Sequence, residues 1–314
     1  MIRRTLNHQR KEGGAVLQRA DMSKRKVKNI ITAYTFLLPN FVGFLLFTLI
    51  PIVCSMGLSF MEWDSANPMK FVGLANFAKL LEDETFSISL KNTIYYSVFT
   101  VPLTMAAALG LALILNQKLK GINMFRTVFF FPHVASLVAV AVVWNLLFHP
   151  TLGPINNILR AMGVANPPGW TSTIDWAMPV IIIVSIWKSM GYYMILYLSG
   201  LQAIPRELYE AAKVDGANTF QRFRNITLPM LTPTTFFVSI MLTIACFQVF
   251  DLISVMTNGG PGRATNVLVY HIYNTAFINY EFGYASAISM VLFAIVLVIT
   301  VVQFRAEKKW VSYM

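Results

Sequence analysis

The segment EAAKVDG, residues 210–216, is followed after nine residues by ITLP, residues 226–229. Both segments lie in a polar stretch of mixed charge, residues 200–230, between two strongly apolar runs. A polar loop between apolar runs is typical of a membrane protein, in which such loops join the spans. The fold class therefore depends on whether the flanking runs are long enough to cross a bilayer.

The composition is that of an integral membrane protein. Of the 314 residues, 56% are hydrophobic and only 12% are charged, about half the charged fraction of a typical soluble domain. A formal charge of +11 is also found in nucleic-acid binding proteins, but here nine lysines and arginines are concentrated in residues 1–32. A basic tail before an apolar run is typical of the cytoplasmic side of a membrane span, whereas nucleic-acid binding domains distribute basic and aromatic residues over a folded surface. We therefore expect a lipid bilayer and no nucleic acid as the surroundings of this chain.

Six apolar runs have the length of about 20 residues that a helix needs to cross the hydrocarbon. They are residues 33–60, 92–115, 126–148, 176–199, 231–256 and 284–304. The shorter run 267–278 is predicted to form an interfacial or re-entrant helix. The sequence thus predicts an all-α membrane domain over 33–304, with an N-terminal tail, 1–32, and a C-terminal tail, 305–314.

The distribution of positive charge predicts the orientation of these spans. Nineteen of the 25 lysines and arginines fall in the two tails and in the loops after the second and fourth spans, if Arg126 at the start of the third span is counted with the loop before it. Five fall in the other three loops, and Lys188 lies inside a span. Positively charged loops resist translocation across the membrane. Both termini and the 200–230 loop are therefore predicted to face the cytoplasm.

The 200–230 loop is predicted to contain two short helices at an angle. Pro205 favours a helix start, because proline suits the first turn. Gly216 allows a sharp reversal that a side chain would resist. A second helix over about 217–226 then leads to Pro229 at the start of the fifth span.

The first of these helices carries acidic and small side chains. Glu207 and Glu210 are three residues apart and share a face. Beside them, Leu208, Ala211 and Ala212 form a small apolar stripe that lets a partner surface approach closely. A carboxylate at its edge can pair with an arginine of the partner. This pattern indicates a contact surface for another protein; a loop that only joins two spans is the alternative.

The pattern Glu-Ala-Ala-x3-Gly-x9-Ile-x-Leu-Pro resembles the cytoplasmic docking loop of binding-protein-dependent ABC importer permeases, and residues 200–230 are called the docking loop below. Further matching segments extend over nearly the whole chain: FVGLANF (71–77), FRT (125–127), WNLLFHP (144–150), TNGGP (257–261) and FGYASA (282–287). The chain is similar to the first permease of the pair in carbohydrate-uptake importers of the maltose, lactose and glycerol-3-phosphate type. It lacks the large second outer domain of the enteric maltose permease.

This resemblance implies the type I ABC importer permease fold, with six transmembrane helices, in the cell (inner) membrane of a bacterium or archaeon. The implied partners are a second homologous permease, two copies of a cytoplasmic ATP-binding subunit, an extracytoplasmic solute-binding protein and a sugar substrate. ATP-Mg is expected on the ATP-binding subunit, so the chain itself is expected to be no enzyme and to need no cofactor. The residues expected to couple to the ATPase are Glu207, Glu210, Ala211, Ala212, Asp215 and Gly216.

Polar residues in the fourth and fifth spans suggest where a substrate passes. The segment WKSMGYY, residues 187–193, interrupts the apolar fourth span, and Gln248 and Asp251 lie three residues apart in the fifth. A charge at the bilayer centre is unfavourable by about 2.5–3.5 kcal/mol on insertion scales. Lys188 is therefore expected to face a cavity or a partner group. Asp251 is one candidate partner, although the two residues are predicted to lie at different depths in the membrane.

The resemblance adds further residues to this path. The sugar-contacting positions of the family correspond here to Trp187, Ser189 and Tyr192 in the fourth span. In the fifth span they correspond to Ala245, Cys246 and Val249, which are poorer hydrogen-bonding residues. Because an aromatic residue inside a span more often packs than binds ligand, packing is the alternative for Trp187 and Tyr192. The predicted substrate-path residues are Trp187, Lys188, Ser189, Tyr192, Gln248 and Asp251.

The sequence offers little support for chemistry on this chain. It has no GxxxxGK[ST], HExxH or GxSxG motif, and its two cysteines do not have metal or disulfide spacing. No catalytic or metal site is therefore predicted. The stronger alternative is a secondary transporter or channel that works alone, which would bring internal repeats and intramembrane ionisable groups. Only Lys188 and Asp251 are of that kind here, and such a protein needs no docking loop.

Overall fold

The computed structural model describes residues 28–117 and 120–311, and these divide into two compact units, one ending at Gly57 and one beginning at Leu58. Most of the predicted N-terminal tail, residues 1–27, and the last three residues of the C-terminal tail lie outside the described residues. The described part of the first unit, residues 28–57, lies in one helix, α1, Lys28–Leu58, which contains a π turn at Leu45–Leu49.

The second unit begins with a short antiparallel hairpin and is otherwise helical. Strands β1, Met61–Glu62, and β2, Lys70–Phe71, pair Met61 with Phe71 and Glu62 with Lys70. The helices that follow are α2 (Ala75–Glu82), α3 (Glu84–Leu115), α4 (Ile122–Val134), α5 (Leu137–Leu147), α6 (Pro154–Ala161), α7 (Ile174–Ala203), α8 (Arg206–Val214), α9 (Thr219–Met230), α10 (Thr232–Phe247), α11 (Asp251–Met256), α12 (Leu268–Tyr273) and α13 (Phe282–Trp310).

Four described helices, α1, α3, α7 and α13, are long and apolar enough to cross a membrane. Two bent pairs raise this number to six if each pair is one span: α4 with α5, bent by 96°, and α9 with α10, bent by 62°. All six predicted spans overlap one of these helices or pairs. The run 267–278 forms α12 and a π turn, Asn274–Ile278, and is too short to span.

The third and fifth predicted spans are not continuous helices, which corrects the sequence-based picture. The 126–148 segment breaks at Ala135 and Ser136, between α4 and α5. The 231–256 segment breaks after Phe247, and α11 begins only at Asp251. The break after Phe247 contains no glycine or proline, whereas Pro132 lies in the last turn of α4 and lacks the N–H that a continuous helix would use there.

The centre of the second unit is α7. Its first half, with Met178 and Ile181, packs in an apolar cluster with α5 and α11, and its second half, with Met194 and Tyr197, packs in another with α3 and α10. The most extensive helix contact joins α3 to α7. Small and hydroxyl side chains allow helices to approach closely in a membrane, and a buried series of them lies along α3: Ser89, Thr93, Ser97, Thr100, Thr104, Ala108 and Ala112.

Candidate functional site

The docking loop starts where α7 ends. Ala203 is the last residue of α7, and Ile204 and Pro205 are extended, with ψ of 124° and 133°. Helix α8 then begins at Arg206, in agreement with the start predicted at Pro205. Only two residues therefore separate α8 from a helix long enough to span the membrane.

Gly216 ends α8 in the way its sequence position predicted. Its φ is +78°, in the left-handed region that favours glycine. The N–H of Gly216 donates to the Lys213 carbonyl at 3.1 Å, and the N–H of Ala217 donates to the Ala212 carbonyl at 2.9 Å. These two bonds form a Schellman motif, which satisfies helix-end carbonyls and reverses the chain.

The second helix of the docking loop, α9, is fixed at its start by a capping box. The Asn218 side chain accepts from the Gln221 N–H at 2.9 Å, and the Gln221 side chain accepts from the Asn218 N–H at 2.7 Å. Helix α9 continues to Met230, beyond the predicted end near residue 226. A π turn, Phe223–Thr227, precedes Pro229, and this wider turn explains how the helix continues through a proline.

The predicted coupling residues lie at the surface of this loop. Exposed are Glu207, Glu210, Ala211, Asp215 and Gly216, and Ala212 is half-buried. Four large apolar side chains of the docking loop are also exposed: Leu208, Val214 (89% exposed), Phe220 (66% exposed) and Leu228. Of these, only Leu208 was part of the predicted contact surface; exposed apolar residues mark a protein contact where they form a contiguous patch.

Tyr209 fastens the loop to the helical bundle. Its hydroxyl is 2.9 Å from the hydroxyl of Thr227, which is buried. The Tyr209 ring also packs against the apolar cluster that contains Tyr197 and Leu231. Helices α8 and α9 are thus held to each other and to the ends of α7 and α10.

A cavity of about 200 Å³ lies beside the break between α10 and α11. Four predicted substrate-path residues line it: Lys188, Ser189, Gln248 and Asp251. The lining further includes Tyr96, Thr100, Leu137, Ser185, Tyr193, Leu242, Ala245, Cys246, Val249, Phe250 and Leu252. Gln248 and Asp251 are exposed, and their side chains have no hydrogen-bond partner within 28–117 and 120–311. They are therefore free to bind a polar molecule.

Tyr96 and Ser185 form a buried polar pair in this lining that the sequence analysis missed. Their hydroxyl oxygens are 2.6 Å apart. Neither residue stands out in the sequence, because α3 and α7 each carry several other polar side chains. Only the packing of α3 on α7 brings them together.

Trp187 and Tyr192 lie outside the lining of this cavity. Trp187 packs edge-on against Trp144 of α5, with ring centroids 5.3 Å apart. Tyr192 stacks on His133, with centroids 4.6 Å apart and an interplanar angle of 16°. Both aromatic side chains thus contact neighbouring helices, and their place in the substrate path stays a prediction.

Lys188 binds the broken end of α4 rather than Asp251. Its ammonium donates to the backbone carbonyls of Pro132 at 3.1 Å, His133 at 3.3 Å and Ala135 at 3.0 Å. These carbonyls lie in the last turn of α4 and just beyond it, where a helix leaves acceptors without partners. Lys188 was expected to face either a cavity or a partner group. It does both, because it binds these carbonyls and also lines the cavity.

Asn145 of α5 contacts the end of α11. Its side-chain amide donates to the Met256 carbonyl at 3.2 Å and so joins α5 to the end of α11. Asn145 is not one of the predicted substrate-path residues. The bond helps to hold the short α11 helix against its neighbour in place of a continuous fifth span.

A polar cluster at the start of α3 was also missed. The Asp83 carboxylate accepts from the N–H groups of Thr85 at 2.7 Å and Phe86 at 3.2 Å, from the Tyr284 hydroxyl at 2.6 Å, and lies 3.3 Å from His271 Nε2. Burial raises the pKa of Asp83, but the hydrogen bonds from Tyr284, Phe86 and Thr85 outweigh it and leave the pKa below its usual value. Burial lowers the pKa of His271 despite the nearby carboxylate.

The chain matches the model of the family of binding-protein-dependent transport system inner membrane components over residues 100–311. It is 36% identical to the sn-glycerol-3-phosphate transport system permease protein UgpA of Agrobacterium fabrum, covering 91% of this chain and 97% of the relative. It is 37% identical to the trehalose/maltose transport system permease protein MalF of Thermococcus litoralis, again covering 91% and 97%.

Among solved structures, the chain is similar to a chain of a bacterial alginate ABC transporter in complex with an alginate pentasaccharide-bound periplasmic protein. The TM-score is 0.81 at 25% identity, and the match covers 91% of this chain and 96% of the other.

Proposed function

Because the chain belongs to the family of binding-protein-dependent transport system inner membrane components, we propose that it is the permease subunit of an ATP-driven importer for a sugar or sugar derivative. The observation that carries this proposal is the docking loop: α8 presents carboxylates and apolar side chains only two residues beyond α7. A loop so built can pass force from a soluble partner directly into a spanning helix. The relatives, named as permeases for glycerol phosphate and for trehalose and maltose, support the substrate class.

The proposed assembly has four further components. A second, homologous permease completes the translocation path, and two copies of a cytoplasmic ATP-binding subunit bind one docking loop each. A solute-binding protein delivers the sugar on the opposite side, a partner supported by the periplasmic protein in the alginate transporter complex. ATP-Mg is held by the ATP-binding subunit, and this chain supplies no cofactor site and no hydrolysis.

The proposed mechanism begins when the ATP-binding dimer closes and moves both docking loops. Because Tyr209 and Thr227 tie α8 to α9, the loop moves as a unit. Helix α7 then transmits a rigid-body rotation that changes which side the cavity opens to. Sugar released by the solute-binding protein enters next to Ser189, Gln248 and Asp251, whose hydroxyl, amide and carboxylate groups suit sugar hydroxyls.

Two substitutions test the docking loop in a transporter reconstituted from this chain and all of the proposed partners. Glu210→Lys reverses an exposed charge on α8, and Gly216→Pro removes both the left-handed turn and an N–H of the Schellman motif. Each variant is expected to insert normally but to lose ATP-dependent uptake and the stimulation of ATP hydrolysis by the loaded solute-binding protein. Uptake is measured with vesicles that enclose ATP.

Glu82→Lys is the matched control for charge reversal, since Glu82 is exposed at the end of α2, far from the docking loop in sequence. Its uptake should equal that of the unmodified chain. Normal uptake by both docking-loop variants would contradict the proposal. So would sugar transport by the purified chain alone, which would favour a secondary transporter or channel.

A further inference from the structure

Three residues of α7 hold the end of α4, and we call this contact the α7–α4 clasp. Lys188, Gly191 and Tyr192 lie three and four residues apart, so they share one face of α7. They contact residues 129–135, which form the last turns of α4 and the start of its break. The clasp therefore joins α7 to the segment at which the chain turns by 96°.

The Lys188 ammonium satisfies the acceptors that the break exposes. An ammonium has three N–H donors, and each of them reaches one carbonyl, those of Pro132, His133 and Ala135. Inside a bilayer a free backbone carbonyl is unfavourable, and a broken helix persists only where neighbouring groups bind the exposed carbonyls. A cation is also favoured at the negative end of a helix. Lys188 thus stabilises the break itself.

The other two clasp residues keep α7 and α4 in close contact. A Cβ at Gly191 would overlap the carbonyl oxygen of Phe129, so the two backbones touch here and leave no room for a side chain. The Tyr192 ring stacks on His133 one turn away. Displacement of α7 must therefore carry the end of α4 with it.

The clasp lies between the docking loop and the cavity. Lys188 is 15 residues before the end of α7 at Ala203, or about 23 Å along the helix at 1.5 Å per residue. It also lines the cavity, where Leu137, the first residue of α5, is a neighbour. Motion of α8 can therefore reach the cavity wall through α7 and the α4–α5 break.

We propose that the α7–α4 clasp couples the docking loop to the cavity, and that Lys188 and Tyr192 are positioning residues rather than substrate contacts. This inference rests on the proposed function of the chain as an importer permease. It concerns only how movement of the docking loop reaches the translocation path.

The first test is hydrogen exchange in the purified full chain, which needs neither partners nor substrate. Lys188→Met keeps the side-chain length but cannot donate to the three carbonyls. We expect exchange in the 131–140 segment to become roughly ten-fold faster, as when charge-assisted hydrogen bonds are lost. Lys188→Arg, which can still donate, should stay close to the unmodified chain, and Ser189→Ala, a cavity residue outside the clasp, should not change this segment. Unchanged exchange in Lys188→Met would overturn the proposal.

The second test measures sugar imported per ATP hydrolysed in the reconstituted transporter. Lys188→Met and Tyr192→Leu are expected to hydrolyse ATP in response to the loaded solute-binding protein but to import several-fold less sugar per ATP, and Lys188→Arg should restore the ratio. A changed preference among sugars with an unchanged ratio would make Lys188 a substrate contact and overturn the proposal. If the unmodified chain imports no sugar, the proposed function fails, while the exchange result still decides whether the clasp holds the break.

Discussion

Asp83 joins three helices through one carboxylate, and its removal has a predictable effect on stability. Asp83→Asn can still cap α3, but it removes the negative charge at the start of the helix and the charge-assisted bond from Tyr284. A charge at a helix N-terminus contributes about 0.3–1 kcal/mol, so Tm at pH 7 should fall by about 1–3 °C. Thermal unfolding of the purified chain in detergent measures the change. Glu82→Gln, an exposed carboxylate one residue away, should leave Tm unchanged.

The pKa of Asp83 predicts how the effect of Asp83→Asn on Tm depends on pH. The pKa of Asp83 is lower in the folded chain than its usual 3.8. A lowered pKa means that the carboxylate stabilises the fold fully above that usual value, and that this contribution disappears as the pH falls through the folded pKa. The Tm difference between the unmodified chain and Asp83→Asn should therefore be constant at neutral pH and shrink below about pH 4. A difference that stays constant down to pH 3 would contradict this assignment.

Gly216 offers a second test at a single residue. Ala at a φ of +78° is strained by about 1–2 kcal/mol, so Gly216→Ala should lower Tm and weaken the stimulation of ATP hydrolysis. Gly110→Ala is the matched control, because Gly110 lies in the interior of α3 with open space around it. It should raise stability slightly, since alanine is the better helix former. Equal effects of the two substitutions would argue against strain at Gly216.

At the level of elements, the sequence predicted what is determined locally. Pro205 predicted the start of α8 and Gly216 predicted its end, because proline geometry and the left-handed turn are properties of the residues themselves. The number and position of the apolar runs followed from bilayer thickness in the same way. Pro132 indicates a kink in the third span. The full break between α4 and α5 could not be predicted, because the lysine that satisfies its carbonyls is 53 to 56 residues away in sequence.

Some residues of the candidate cavity were likewise predictable from local sequence, whereas others come together only through helix packing. Ser189, Gln248 and Asp251 were identified as polar residues in apolar runs, and the structure brings them together. The pairing of Tyr96 with Ser185 depends on how α3 packs on α7, which no local pattern encodes. Trp187 and Tyr192 were included together with Ser189, as part of the polar WKSMGYY segment and through family resemblance, but helix packing directs their rings toward Trp144 and His133.

The gap between α10 and α11 supplies a prediction for the substrate path. Gln248 lies in this gap, exposed and without a hydrogen-bond partner in the described part of the chain. If its amide binds the sugar, Gln248→Ala loses about one hydrogen bond, and uptake at saturating loaded solute-binding protein should fall about two- to ten-fold. Basal ATP hydrolysis should not change. Gln117→Ala, at an exposed position after α3, is the control, and equal uptake by both variants would remove Gln248 from the path.

At the scale of the whole molecule, the distribution of positive charge and the proposed role of the docking loop must place that loop on the same side of the membrane. Nineteen of the 25 lysines and arginines lie in the tails, in the two loops predicted to be cytoplasmic or, for Arg126, directly after one of these loops. The β1–β2 hairpin is in a loop with few positive charges, on the predicted opposite side. An ATP-binding partner can reach α8 only if this orientation is correct, so orientation is a condition for every coupling step proposed above.

Cysteine labelling in intact cells tests this orientation. Cys54 and Cys246 are free thiols and are first replaced by serine and alanine. Single cysteines are then introduced by Val214→Cys in α8, where the side chain is 89% exposed, and by Ala66→Cys in the hairpin, which is also exposed. A membrane-impermeant maleimide should label position 66 in intact cells and position 214 only after permeabilisation. Since positive charge sets the predicted orientation, labelling of position 214 from outside would place α8 beyond the reach of ATP and remove the basis for coupling through the docking loop.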